Sequence, residues 1–408
     1  MKNFEVPTGY RSPLIAAIKQ QRKAADKLKK DFSPTELDFG KVKIYLARHF
    51  GFCYGVENAI DIAYRTIEEN KGKRIFLLSE MIHNPQVNND LTSKGVQFLQ
   101  DTLGKELIPL KDLTQDDIVI IPAFGTTLEL EAKLKAKGIA IQEYDTTCPF
   151  VEKVWNRSEQ IAQKGYSIII HGKPKHEETR ATFSHTSAHT PTLIVNDLEE
   201  TKVLGRIISG ELPVDYFYDF FINRYSANFN PRIHLDKIGV VNQTTQLATD
   251  TQAISDFLKQ VIINKFGPEN LAAHFADTRD TLCYATNDNQ SAVLGLLQTQ
   301  ADLAIVMGGK NSSNSSHLVE LCEQKLPTYF IDDASRILNA NQIEKTNWKN
   351  KQTEVVDNFL PAKDPIRILM TSGASCPDAV VESVIQKIVG FYGLENNFEQ
   401  VKSNWIAS

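Results

Sequence analysis

The chain has 408 residues, enough for two or three domains that each bury a core of their own. Its formal net charge of −5 argues against a nucleic-acid partner, which usually requires a basic surface patch, and no apolar run approaches the roughly 18 residues of a membrane span. The N-terminus MKNFEVPTGY lacks a secretory apolar stretch, and five cysteines in so long a chain do not suggest a disulfide framework. We therefore expect a cytoplasmic protein that keeps its thiols reduced.

Residues 1–40 are predicted to form an N-terminal extension. Apolar residues recur at helical spacing from Ser12 to Lys30, among many lysines. We expect a solvated helix on the surface here. A helix that binds a partner or a membrane surface is the alternative.

From Lys41 onward, short apolar runs that end in glycine or small polar residues alternate with helical stretches. This alternation is typical of parallel α/β sheets built from strand–helix–strand units. In such sheets, ligands bind at the carboxyl ends of the strands. The apolar runs are KIYLA, RIFLL, IVIIPA, SIIIHG, KIGVVN, LAIVMGG and RILMTSG.

Three cysteines, Cys53, Cys148 and Cys283, each open a module of helix, apolar run and polar loop. The loops hold His83, His176 and Ser312, which follow their cysteines by 30, 28 and 29 residues. The repeat predicts three α/β modules with mostly parallel sheets, related by a pseudo-threefold axis. The predicted boundaries are 41–147, 148–282 and 283–390, with a C-terminal tail at 391–408.

A second repeat supports the threefold pattern. Each module contains a later strand that ends in a hydroxyl-rich turn, and a helical stretch follows each turn. Small polar side chains and backbone N–H groups at a helix N-terminus favour an anion. The turns are IIPAFGTT, which ends at Thr127, VVNQTT, which ends at Thr245, and LMTSGAS, which ends at Ser375.

The three repeated cysteines are predicted to ligate a metal centre, because each lies at a loop-to-helix junction that favours a thiolate. Cys322 and Cys376 instead fit the pattern of small core residues. Structural zinc typically requires paired cysteines at close spacing, which are missing from the sequence. Three separated thiolates suit one [4Fe–4S] cluster with an open iron.

The polar loops are rich in hydrogen-bond donors and contain one obvious acid, which suits an anionic, phosphate-like substrate. No Walker loop, GxGxxG after a strand or GxSxG elbow occurs, so nucleotide binding and serine hydrolysis are poor interpretations. A metal pair at His176 and Glu178 is a weaker alternative to anion binding or proton transfer. The candidate residues are His83, His176, Glu178, Thr244, Ser312, Ser313, Asn314 and Ser375.

Residues 216–229 depart from the repeat because they are dense in aromatic side chains. We expect this segment to pack under the second module. A docking surface for a redox partner or a second subunit is the alternative.

Taken together, these motifs resemble those of 4-hydroxy-3-methylbut-2-enyl diphosphate reductases, and specifically the longer branch found in photosynthetic lineages and some bacteria. The resemblance extends from about Val42 to Val389. The motifs that carry it are GFCYGVENAI, MIHNPQVN, DTTCPFVEKVW, IIHGKPKHEET, NQTT, LCYATNDNQ, GGKNSSNSSHL and TSGASCPD.

The resemblance implies a trefoil fold around one [4Fe–4S] cluster and the reductive dehydroxylation of an allylic diphosphate, the last step of non-mevalonate isoprenoid synthesis. It implies that Cys53, Cys148 and Cys283 are the cluster ligands. It also implies that Glu178 supplies protons and that Thr244 lies beside the substrate hydroxyl. The implied diphosphate contacts are His83, His176, Ser312, Asn314 and Ser375, with Ser313 as a weaker candidate.

One position departs from the family pattern. Many members carry a histidine where this chain has Phe124, so a third imidazole contact to the diphosphate is not expected. Thr126 and Thr127 are the candidates to replace it.

The chain contains no flavin or nicotinamide motif, so the resemblance implies an external electron donor such as ferredoxin or flavodoxin. A quinolinate-synthase-like [4Fe–4S] dehydratase is the nearest alternative. A non-catalytic iron–sulfur sensor and a Cys/His hydrolase are further alternatives from other classes.

Overall fold

The computed structural model describes residues 4–276 and 281–407. The chain divides into two compact units. Unit 1 comprises Met1–Asp61, Ile82–Asp90 and Tyr284–Ser408, and unit 2 comprises Ile62–Met81 and Leu91–Cys283. The three domain boundaries predicted from the sequence stay a prediction.

Helices separate most of the strands in sequence, as the alternating pattern predicted. Within the described ranges, no helix has the length and apolar character needed to cross a membrane. The α-helices are Pro13–Ala25, Tyr54–Glu69, Pro85–Ser93, Leu128–Ala136, Pro149–Ala162, Glu177–Ser187, Leu198–Ile208, Tyr216–Phe220, Pro231–His234, Ala248–Phe266, Leu271–His274, Tyr284–Leu296, Ser313–Glu323, Asp378–Gly390 and Glu395–Ala407.

Unit 1 contains a five-stranded sheet. Its first two strands are antiparallel, and every other neighbouring pair is parallel. A separate antiparallel hairpin joins Gln342–Thr346 to Thr353–Asp357. In spatial order, the sheet strands are Thr35–Asp38, Val42–Leu46, Ile366–Ser372, Leu303–Met307 and Thr328–Ile331.

Unit 2 contains two fully parallel sheets. The smaller has the order Gln97–Phe98, Ile75–Leu77, Ile118–Ile120, and the larger has the order Thr192–Val195, Ser167–His171, Ile238–Asn242, Phe275–Ala276. The predicted α/β fold with mostly parallel sheets is therefore confirmed.

All seven apolar runs identified in the sequence form strands of these sheets. Their side chains are buried on both faces in the middle of each sheet: every residue of Ser167–His171, Ile238–Asn242 and Leu303–Met307 is buried. Continuous rather than alternating hydrophobicity is what parallel strands covered by helices require.

The N-terminal helix Pro13–Ala25 is more deeply packed than the solvated helix that the sequence predicted. Its side chains at Leu14, Ile15 and Ile18 are fully or almost fully buried, and the helix contacts the C-terminal helices Asp378–Gly390 and Glu395–Ala407. Its lysines lie on the remaining face, so the charge-rich composition concealed a narrow apolar stripe.

Polar contacts fix the start of the same helix. The Ser12 hydroxyl accepts a hydrogen bond from the Ile15 N–H at 3.0 Å and itself donates to the Glu382 carboxylate. Lys19 forms an ion pair with Asp378 at 2.6 Å. The residues before the first parallel strand thus form an integral part of unit 1.

The aromatic segment packs into unit 2, as expected. Phe217, Phe221 and Phe229 are buried in one cluster with strand residues such as Leu193 and Val240. Phe217 and Phe229 stack with ring centroids 5.0 Å apart. Large aromatic rings supply much buried apolar area at each position, which explains their density below the larger sheet.

Candidate active site

The three repeated cysteines occupy equivalent places in the chain, as predicted. None of them forms a disulfide, and each is half-buried. Each immediately precedes a helix: Cys53 precedes Tyr54–Glu69, Cys148 precedes Pro149–Ala162, and Cys283 precedes Tyr284–Leu296.

Hydrogen bonds tie each cysteine to one of the hydroxyl-rich turns. In every case the cysteine N–H donates to a backbone carbonyl of a turn that follows a parallel strand. This repeated bond connects the cysteine of each module to the turn of another module: Cys148 and Cys283 bond to the preceding module, and Cys53 of the first module bonds to the third. The sequence did not predict this pattern. The donor–acceptor pairs are Cys148 to Ala123 at 3.0 Å, Cys283 to Thr244 at 3.1 Å and Cys53 to Ala374 at 3.1 Å.

Cys148 and Cys283 lie in the same unit, close enough to interact electrostatically. Burial raises the pKa of the Cys148 thiol to about 11, although the backbone N–H of Phe150 lowers this pKa; Cys283 raises it further, as does Glu178. We expected the helix N-terminus to favour a thiolate, but the desolvation of a buried sulfur outweighs this stabilisation of the charged form. Cys148 is therefore a protonated thiol at neutral pH unless a cation binds to its sulfur.

Glu178 is held in a buried position beside the NQTT turn. It belongs to the first turn of helix Glu177–Ser187, whose N-terminus is capped by His176: the ring Nδ1 accepts from the Glu178 N–H at 3.2 Å. One oxygen of the Glu178 carboxylate accepts from the Thr244 N–H at 2.5 Å. The sequence-predicted acid and threonine are thus hydrogen-bonded neighbours, although the bond uses the threonine backbone rather than its hydroxyl.

Phe124 contacts His176 in unit 2. Their ring centroids are 5.6 Å apart and the rings are nearly perpendicular, so Phe124 packs an apolar ring against this imidazole. The Thr127 hydroxyl accepts from the Leu130 N–H at 3.4 Å as the cap of helix Leu128–Ala136, and the Thr126 carbonyl contacts the His185 ring at 3.1 Å. A direct role for either threonine in anion binding stays a prediction.

In unit 1, Asn314 joins two loops at the carboxyl ends of neighbouring strands. Its Oδ1 accepts from the Ala374 N–H at 3.0 Å and from Asn289 Nδ2 at 3.4 Å. The buried Asn314 Nδ2 and the buried Ser313 Oγ have no hydrogen-bond partner among residues 4–276 and 281–407. Buried donors without a partner are costly, so this loop is suited to an acceptor-rich ligand.

The remaining predicted residues of unit 1 flank this loop. Ser312 caps helix Ser313–Glu323, and its Oγ accepts from the N–H and the hydroxyl of Ser315 at 3.2 and 2.9 Å. These bonds use both acceptor positions of Ser312 and leave its own O–H to be donated. Ser375 donates to the backbone carbonyl of buried His83 at 3.2 Å.

Glycines allow the loops of unit 1 to approach closely. A Cβ atom at Gly308 or Gly373 would lie 2.1 or 2.0 Å from Ser315 Oγ, and a Cβ at Gly309 would lie 2.2 Å from the His83 carbonyl oxygen. Contacts this short cannot occur, so side chains at these positions would displace the loops that carry the partnerless donors.

We expect Gly373→Ala to destabilise the protein by about 1–3 kcal/mol, the usual cost of an overpacked site. Urea unfolding followed by circular dichroism measures this free energy. Gly9→Ala is the matched control, because nothing lies within 4 Å of a Cβ there. Adding Ser315→Ala should recover part of the loss. An unchanged free energy of unfolding for Gly373→Ala would contradict the steric argument.

Sequence reasoning missed Gln243 as a structural element of the site. Its side-chain oxygen accepts from the Lys173 N–H at 3.1 Å and from the Thr179 hydroxyl at 3.0 Å. These bonds join the HGK loop and helix Glu177–Ser187 to the NQTT turn. The sequence signal for Gln243 was its position immediately after a buried strand, but its hydrogen-bond partners are about 70 residues away in sequence.

Each unit collects part of the predicted set. Unit 2 brings together Cys148, Cys283, Glu178 and Thr244, and it also contains His176. The members in unit 1 are Cys53, His83, Ser312, Ser313, Asn314 and Ser375.

Comparisons with known proteins show the family to which the chain is similar. The family described as LytB protein matches residues 44–389. A 4-hydroxy-3-methylbut-2-enyl diphosphate reductase of the cyanobacterium Picosynechococcus sp. is 41% identical over 354 residues, which are 86% of this chain and 85% of that protein. A reductase of the same name from Synechocystis sp. is 39% identical and covers 94% of this chain and 95% of its own length.

A solved structure is also similar. The E-1-hydroxy-2-methyl-but-2-enyl-4-diphosphate reductase of Plasmodium falciparum matches with a TM-score of 0.58 and 25% identity, covering 87% of this chain and 88% of that chain. The family match spans more than half of the sequence, and the relatives match most of it. The chain therefore belongs to the LytB protein family.

Proposed function

We propose that this protein is a 4-hydroxy-3-methylbut-2-enyl diphosphate reductase. It removes the terminal hydroxyl group of an allylic diphosphate as water and forms isopentenyl and dimethylallyl diphosphate. The reaction consumes two electrons and two protons, one for the leaving hydroxyl and one for carbon. The observation that carries the proposal beyond family membership is the grouping of Cys148, Cys283, Glu178 and Thr244 in unit 2.

The cofactor is proposed to be one [4Fe–4S] cluster with Cys53, Cys148 and Cys283 as its ligands. Their chemistry fits: no sulfur is lost to a disulfide, and the backbone N–H groups of Phe150 and Val151 donate towards the Cys148 sulfur, as is usual around thiolates that bind clusters. When bound, the cluster supplies single electrons and an open iron that acts as a Lewis acid.

The diphosphate is proposed to bind to His83, His176, Ser312, Ser313, Asn314 and Ser375. The strongest support comes from the buried Ser313 Oγ and Asn314 Nδ2, which need acceptors. The His176 ring accepts at Nδ1 from the Glu178 N–H at the helix N-terminus, so a neutral ring carries its proton on Nε2. Such donors recognise phosphate oxygens without a cationic loop.

Glu178 is proposed to supply the protons. Its carboxyl group is almost fully buried, and one carboxylate oxygen is oriented by the Thr244 N–H. The Thr244 hydroxyl is proposed to lie beside the substrate hydroxyl. Burial excludes bulk water, which limits the protons that can reach a reactive carbon to those that these residues deliver.

An external one-electron donor of the ferredoxin or flavodoxin class is proposed, because the reaction needs two electrons and the sequence has no flavin or nicotinamide motif. The natural donor can be identified by reconstituting turnover with each candidate.

Anaerobic purification with iron and sulfide analysis tests the proposal, combined with a substrate-reduction assay and electron paramagnetic resonance. We expect about four irons per chain, reduction of the allylic diphosphate, and a change in the cluster signal when that substrate is added. Quinolinate formation without diphosphate reduction would instead assign a dehydratase. An iron-free active protein, or a cluster without either activity, would overturn the proposal.

We expect Asn314→Asp to weaken substrate binding strongly while preserving the fold. The aspartate keeps an oxygen for the Ala374 N–H but replaces the partnerless amide donor with an anion, which repels a diphosphate. The loss of a hydrogen bond to a charged group predicts KM to rise by about 10- to 100-fold. Steady-state kinetics measures the change, with Asn350→Asp in an exposed loop as the control. An unchanged KM would remove Asn314 from the diphosphate site.

A further inference from the structure

A short polar network in unit 2 connects the end of strand Ile238–Asn242 to the segment that precedes Cys283. The Asn242 backbone N–H and side-chain Nδ2 both donate to the Thr281 hydroxyl oxygen, at 2.9 and 2.8 Å. Two residues later, the Cys283 N–H donates to the Thr244 carbonyl at 3.1 Å. Three hydrogen bonds therefore hold Thr281 against Asn242 and Cys283 against Thr244, two residues further along the same segment.

The buried His171 fixes the orientation of the Asn242 amide. Its ring Nδ1 lies 3.3 Å from Asn242 Oδ1 and 3.3 Å from Thr251 Oγ1. With the Asn242 oxygen facing the ring, the imidazole Nδ1–H donates to that oxygen, and the amide presents its NH₂ group to Thr281. His171 and Asn242 are both almost fully buried, where a hydrogen bond between two side chains is electrostatically stronger than it is in water.

We propose that Asn242 and Thr281 are positioning residues for Cys283, and we call the pair the Asn242–Thr281 bridge. The bridge fixes where the Cys283 sulfur is presented, although neither side chain is itself a ligand. Cys283 lies in a loop, and a loop cysteine without such support would sample several orientations and bind metal less tightly. This inference rests on the proposed function in one respect: the assignment of Cys283 as a ligand of the [4Fe–4S] cluster.

Thr281→Val and Thr281→Ser form the matched pair of variants. Valine is similar in shape to threonine but has no oxygen, so both Asn242 donors lose their acceptor, whereas serine retains the oxygen. The first readout uses cluster-free protein: the rate of Cys283 alkylation by iodoacetamide, measured by mass spectrometry, with Cys148 as the internal reference. We expect Cys283 in Thr281→Val to react about tenfold faster, which is within the range for the loss of these two hydrogen bonds, and Thr281→Ser to react at the wild-type rate.

The second readout is the reconstituted protein. Thr281→Val should retain less iron against a chelator and show a shifted electron paramagnetic resonance signal, and Thr281→Ser should restore both. Circular dichroism shows whether Thr281→Val folds. If it does not fold, Asn242→Asp is used in its place, because this substitution removes only the side-chain donor. Wild-type alkylation rates together with wild-type iron retention in Thr281→Val would overturn the bridge. Wild-type protein that binds no iron would instead reject the proposed function, while the alkylation result would still test the bridge.

Discussion

Glu178→Gln should reduce turnover by about 10²- to 10⁴-fold, the range associated with the loss of a general acid. Glutamine keeps an oxygen that can accept from the Thr244 N–H, so the turn and the neighbouring cysteine should stay in place. What the variant lacks is an acidic proton at a buried position. Steady-state reduction of the allylic diphosphate measures the effect, and iron content should equal that of the wild type.

The control for this substitution is Glu199→Gln, which makes the same chemical change on the exposed face of helix Leu198–Ile208. It should leave turnover unchanged. A solvent isotope effect adds a second readout, because slower proton delivery in Glu178→Gln should make that step rate-limiting. Near-wild-type turnover in Glu178→Gln would remove this residue from the proton path.

Cys148→Ser should abolish the intact cluster and therefore all detectable turnover. A serine hydroxyl ionises far less readily than a thiol, and iron–sulfur clusters are held by thiolates. The position is already unfavourable for an anion, since burial raises the pKa of the Cys148 thiol to about 11. Replacing sulfur with oxygen should leave too little binding energy to overcome that desolvation. Iron and sulfide analysis after anaerobic reconstitution measures the loss.

Cys322→Ala provides the matched control for loss of a thiol. Cys322 is fully buried on helix Ser313–Glu323, and burial raises the pKa of its thiol to about 12. Its removal should lower thermal stability slightly and leave the iron content unchanged. If Cys148→Ser retained the wild-type iron and sulfide content, the assignment of this ligand would be wrong.

The sequence predicted the local elements well because their causes are local. Continuous apolar runs are typical of strands in parallel sheets that helices cover, and all seven runs form strands. The two cysteines assigned to the core, Cys322 and Cys376, are fully buried as expected. Helix starts were also readable, since each repeated cysteine stands immediately before a helix.

The sequence pattern underestimated how deeply the N-terminal helix is buried, because residues within the helix do not show what packs against it. Three buried residues, Leu14, Ile15 and Ile18, were embedded in a lysine-rich stretch. Whether such a stripe is solvated or covered depends on what packs against it, and here the cover comes from helices more than 350 residues later in the chain.

By itself, the sequence determined the strand–helix alternation, the threefold recurrence of its cysteines and the family to which the chain belongs, because repeats and motifs are properties of residue order. Only the tertiary structure decided which turn carbonyl each cysteine N–H reaches, that Gln243 joins the HGK loop to the NQTT turn, and that His171 orients the Asn242 amide towards Thr281. These bonds join residues that lie tens to hundreds of positions apart, and a hydrogen bond depends on distance and direction in space. The pKa of Cys148 was likewise decided by burial, which residue order near the cysteine does not reveal.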